Sequence, residues 1–401
     1  MGTASHLRSY TGPALLSGGF RPFFLAAGIW GALAMTLWIA SITGAVDFGT
    51  AFGPVDWHVH EMVFGYGGAV ICGFLLTAVP NWTGRLPVAG KPLAILLALW
   101  IAGRLAVLFG ESWPWLLVAV ADLAFLAALT GIIGREIIIG KNRRNLPVLA
   151  LCASFLGGNL WFHLSAASGE VAYDSSGARI GIAVLILMIS LIGGRIVPSF
   201  TRNWLAQRGP GQLPIPFGPF DMGVLAVSVL ALGLWVARVD QPAGPAMLLA
   251  GGAQALRLGR WAGWRTLAEP LVTVLHAAYA FLPAGFLLLG SAAIWPGAVI
   301  QAAGLHAWLA GGVGLMTLAV MTRASLGHTG RPLKAGWGEV LIYTFVAFAA
   351  LSRIAVGLGA GEFWRDAAAL AWIAGFTLFA IRYAPILTQP RLAPKRANPS
   401  P

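Results

Sequence analysis

A chain of 401 residues that is 58% hydrophobic and only 10% charged is not a soluble globular protein, since such proteins carry about 25% charged residues. Its net charge of +12 sits in the connections between apolar runs, which argues against a nucleic-acid partner and for a membrane one. Cys72 and Cys152 both fall inside apolar runs and read as small buried hydrophobes.

About 20 apolar residues make one spanning helix, and twelve runs are predicted, at roughly 20–42, 58–80, 92–110, 113–134, 146–168, 178–200, 218–238, 244–265, 270–290, 297–321, 337–359 and 365–387. The eighth is interrupted by Arg257 and Arg260. The fold class is therefore all-α, a polytopic membrane protein of about twelve transmembrane helices. Residues 1–19 form an N-terminal segment, 20–388 the membrane domain and 389–401 a disordered basic tail, with no separate soluble domain. The first run is long enough to stay in the membrane, so no cleaved signal peptide is expected. Pro92, Pro114, Pro147, Pro270 and Pro296 mark span edges, where a missing N–H costs nothing.

Basic residues occupy alternate loops, such as Arg85 with Lys91, Lys141 with Arg143 and Arg144, and Arg331 with Lys334. The opposite loops hold Asp47, Glu111, Glu170, Asp240 and Glu362. Positively charged loops face the cytoplasm, so both termini are expected there.

Span 2 opens with His58, His60 and Glu61 in DWHVHEMVFGYGGAVICGFLLTAVPNWTGR, and ionisable groups at membrane depth mark a ligand, a pathway or a metal. Span 10, in LHAWLAGGVGLMTLAVMTRASLGHTGR, repeats the pattern: an offset of 246 residues relates His60 to His306 and Gly84 to Gly330. RLAV at 104–107 and RIAV at 353–356 follow the two spans, and span 6 ends in the related GGRIVPSFTRNW. Spans 2, 6 and 10 are four apart, which suggests three four-helix units rather than two six-helix halves. The TGR and TRN turns read as helix ends anchored in anionic headgroups, with Asn81 and Asn203 suited to left-handed positions.

Together HxHEMxFG, GFLLTAVPNWTGR, GGRIVPSFTRN and MTLAVMTRASLGHTGR resemble the NnrS family over about residues 14 to 388. The resemblance implies a bacterial inner-membrane protein of the nitric oxide response, protecting against nitrosative stress and containing haem and copper; it names no reaction. Without a C-x-x-C-H motif the haem would be b-type and non-covalent. Three four-helix units also resemble the main subunit of haem–copper oxidases, a likeness of architecture alone.

Imidazole suits both metals. His60 and His306 are the first candidates for ligands to haem or to adjacent haem and copper, with His58 and His163 next. All four are placed in the periplasmic half, His306 about 14 Å deep at 1.5 Å per residue. Positions i and i+2 of a helix lie about 200° apart, so His58 and His60 would serve different metals unless His58 precedes the helix. Glu61 would relay protons, orient a ligating imidazole, or pair with Arg104, Arg195 or Arg353, which could equally hold haem propionates. His276 is too distant to share a metal unless haem bridges the depth, His328 is expected in a loop, Met62 in packing, and His6 has no specific role. The ligand would be nitric oxide or a related small neutral molecule that crosses lipid. A twelve-helix secondary transporter is the competing class, and a metal-free interaction protein a third.

Overall fold

The computed structural model describes residues 10–297 and 300–392, except for the Asp240 side chain. His6, Lys395, Arg396 and most of the expected tail lie outside the described residues.

Twelve long helices account for the described chain: α1 (Phe20–Ile42), α2 (Pro54–Thr83), α3 (Lys91–Phe109), α4 (Trp115–Ile139), α5 (Arg143–Ala167), α6 (Ser176–Leu205), α7 (Pro219–Val236), α8 (Asp240–Gly259), α9 (Pro270–Ile294), α10 (Gln301–His328), α11 (Trp337–Gly357) and α12 (Glu362–Thr388). Eleven are long and apolar enough to cross a membrane, and α8, with Arg257 inside it, is the exception. Pro92, Pro147 and Pro270 lie in first turns, and Pro114 caps α4, where the ring's fixed φ suits the turn and the lost donor would be unpaired anyway.

Each helix packs on its chain neighbour, and α12 returns to α1, so the bundle closes into a ring. The innermost members are α2, α6 and α10. Their most apolar stretches are 78%, 67% and 72% buried, against 33–61% in the other spans. The inner three touch one another, α6 packing on both α2 and α10 while Tyr66 of α2 reaches Thr317 of α10 at 2.5 Å. Every fourth helix is thus central, and the outer helices wall three chambers around them.

All three inner helices contain a π-helical segment: Glu61–Tyr66, Ile189–Gly193 and Ala307–Leu315. In α2 and α10 it begins one residue after His60 and His306, at the 246-residue offset read from sequence. The same offset joins Gly84 and Gly330, with φ of 71° and 76°, a left-handed conformation that lets each chain leave its helix without Cβ strain. Asn81 and Asn203, expected at left-handed positions, are instead helical.

Three boundaries depart from expectation. Helix α2 starts at Pro54, so His58 is inside a regular turn. Helix α10 starts at Gln301, making His306 its sixth residue and less deep than expected. It then continues to His328, which is therefore not a loop residue, and the Thr322 and Thr329 hydroxyls donate to carbonyls four residues back. Cys72 and Cys152 are buried and unbonded.

Candidate functional site

His58 and His60 share the turn Pro54–His60 and so face opposite sides of α2. They enter different chambers.

His60 points toward α4 and α5. Its Nδ1 lies 3.0 Å from Glu61 Oε1, and its Nε2 lies 3.1 Å from Asp122 Oδ2 and 2.9 Å from Asn159 Oδ1. His163 Nε2 lies 3.0 Å from the same Asp122 oxygen, to which Asn159 Nδ2 donates at 2.7 Å. Arg104 of α3 donates to Glu61 Oε1 at 2.5 Å and to Asp122 Oδ1, and Trp30 donates to Glu61 Oε2 at 2.8 Å. Gly65 leaves the space for that guanidinium, since a Cβ there would sit 2.5 Å from Arg104 Nη1. Every charged member is at most 4% exposed. Two carboxylates face one guanidinium, so with neutral imidazoles the cluster carries a formal charge of −1. A buried excess charge requires compensation, which a cation at the histidines would supply. The ligand atoms of His60, Asp122 and His163 lie within 4.8 Å of one another, a spacing that suits a metal ion. The bond from His60 Nδ1 to Glu61 is the carboxylate contact that commonly fixes a ligating imidazole.

His58 points the other way, into a cavity of about 310 Å³ between α1, α2, α10, α11 and α12. His306, Arg353 and Arg365 also line it. Trp38 stacks on His58 with ring centroids 4.0 Å apart, and His58 Nδ1 is buried without a partner. His306 donates from Nδ1 to the Ala302 carbonyl at 2.7 Å, which leaves Nε2 with its lone pair; an Arg353 N–H approaches it at 3.3 Å.

The chamber between α6 and α9 holds no such imbalance. Arg257 pairs with Asp221 at 2.8 Å and donates to Tyr279 at 3.1 Å, while Gln254 donates to Ser190 and Ser228. Its charges cancel, as expected of a structural network.

The four histidines expected to cluster are therefore divided. His60 meets His163, and His58 meets His306; His60 and His306 occupy different chambers and cannot share one centre. The separation of His58 from His60 around α2 was readable from the sequence, but the neighbour each one meets was not. Glu61 pairs with Arg104, while Arg353 stands by His306. Arg195 joins neither group and packs over Phe217 with its guanidinium 5.6 Å from the ring. His276 bonds Thr201 at 2.7 Å, remote from both groups, and Met62 lines the larger cavity. Asp122, Asn159, Trp38 and Arg365 were missed. Asp122 in the middle of an apolar run was a readable signal, and Asn159 stands four residues before His163, on one face of α5.

The family described as NnrS protein matches residues 14–391. The chain belongs to the NnrS family. The match takes in all twelve helices and hence both histidine pairs. As an NnrS member it is a multi-pass membrane protein of the nitric oxide response. No curated protein and no solved structure matches the chain. The likeness to haem–copper oxidases thus rests on the number and grouping of helices alone.

Proposed function

We propose that this NnrS protein is a haem- and copper-binding protein of the bacterial inner membrane, both termini cytoplasmic, that binds nitric oxide and limits nitrosative damage. The observation that carries this reading is the unpartnered, buried Nδ1 of His58 on the same cavity wall as His306, whose Nε2 accepts only from Arg353. These two imidazoles would hold a b-type haem, and Arg353 and Arg365, on the same cavity wall, would meet its propionates with N–H donors. His60, His163 and Asp122 fit copper, whose positive charge offsets the excess carboxylate. Bound there, haem would supply a redox-active iron that could take nitric oxide only in place of one imidazole, and copper a second one-electron centre.

The protein's own groups do the rest. Glu61 orients His60, and Arg104 fixes both carboxylates by donating to each.

The test is an optical spectrum of the purified protein, oxidised and reduced, with metal analysis of four alanine variants. His58→Ala and His306→Ala should lose the Soret band and keep copper. His60→Ala and His163→Ala should lose copper and keep haem. Loss of both metals in every variant, or of neither, contradicts the division. A protein with no Soret band after expression with ample haem favours the secondary transporter.

A further inference from the structure

Where the three inner helices meet there is a second cavity, of about 80 Å³. Gly67 of α2, Leu185 and Ile189 of α6, and Val313 and Met316 of α10 are among its walls. One polar side chain, Thr317, lines it, and its hydroxyl is already committed. Thr317 donates to the Val313 carbonyl at 2.7 Å and accepts from Tyr66 at 2.5 Å. The space is several times the roughly 10–15 Å³ that one water needs, yet it offers water no partner; apolar cavities of this kind stay dry and take up xenon or other apolar guests.

Its position gives it two neighbours. Phe74, Ile192, Ile196 and Val320, toward the C-terminal ends of the inner helices, are partly exposed and form its rim. At the other end Val313 lines both this cavity and the one containing His58 and His306, and Tyr66 lines the histidine cavity while its hydroxyl holds Thr317. One valine and one tyrosine thus separate the two spaces. Both belong to π-helical segments, Tyr66 ending the one in α2 and Val313 lying within that of α10; such segments interrupt the regular ladder of a helix and recur at functional sites.

We propose that the central cavity is a binding site for small neutral gases of the nitric oxide class and an antechamber to the histidine cavity, with Tyr66 and Val313 as the partition. The second clause rests on the haem assignment made above. A diatomic that partitions into lipid enters at the rim, displaces no ordered water, and waits one side chain away from the histidines.

Xenon is the probe. Crystals or nanodisc samples of the full chain under xenon pressure should show a site bounded by Gly67, Leu185 and Val313. Ile192→Trp should remove it, with Val320→Trp as the alternative rim variant should the first misfold, whereas His58→Ala should retain it. Lack of xenon at this place in the wild type, or undiminished occupancy in both folded variants, overturns the proposal. In the haem-loaded protein, Ile192→Trp should also slow nitric oxide recombination after photolysis several-fold. Unchanged recombination in a variant that has lost xenon refutes the antechamber. Because xenon occupancy needs no haem, a missing Soret band would defeat the haem assignment alone.

Discussion

Arg104→Met is the most discriminating single change. Arg104 is the one cation among Glu61 and Asp122, and the three side chains are exposed by 4%, 0% and 1%. Removing it leaves two carboxylates in a desolvated pocket beside two imidazoles. Breaking a buried pair in this way costs about 3–5 kcal/mol, and because two pairs are lost the upper half of that range is expected. At about 1.4 kcal/mol per factor of ten, the folded-to-unfolded ratio falls by several hundredfold to a few thousandfold. Reversible unfolding in mixed micelles titrated with SDS would measure it. Arg104→Met combined with Asp122→Asn restores the wild-type formal charge of the cluster and should recover part of the loss. A cost for Arg104→Met below about 1 kcal/mol, the range of exposed pairs, would refute the view that these charges are buried and interdependent.

Gly285→Ala should destabilise the bundle by about 1–3 kcal/mol, the usual range for overpacking. A Cβ there would lie 2.1 Å from Cδ1 of Trp308, a fully buried indole already fixed by donation to the Leu282 carbonyl. The same SDS titration reads the change, and a neutral result would mean that Trp308 can move. For orientation, single cysteines at Lys141, in the α4–α5 connection, and at Arg144, in the first turn of α5, should resist an impermeant maleimide added outside intact spheroplasts; rapid labelling there would invert the topology.

How much of this was legible in the sequence varies by level. The number of helices follows from hydropathy, and even the exception, α8, is visible as Arg257 inside an apolar run. The equivalence of α2 and α10 was readable because a single offset relates the histidines and the glycines, and the structure adds the π-helical segments at the same offset. The division of the histidines was only half readable. Helical geometry separates His58 from His60 by about 200°, but which neighbour each meets depends on the order of helices around α2, which no local pattern encodes. Asp122 needed no topology to find: a carboxylate in mid-span demands a partner, and Arg104 and His60 are that partner.

The placing of His58 and His60 on opposite faces of one short turn has a mechanical consequence. Any movement of the backbone carries both imidazoles together, because seven residues of regular helix, Pro54–His60, hold them. If α2 turns about its axis so as to draw His58 further into one chamber, the same rotation sweeps His60 away from Asp122 in the other. Occupancy of the two chambers is then linked with opposite sign through a rigid lever, and linkage of this kind is reciprocal. Under such a rotation, a ligand that tightened its hold on one histidine would loosen the other, whichever chamber was filled first.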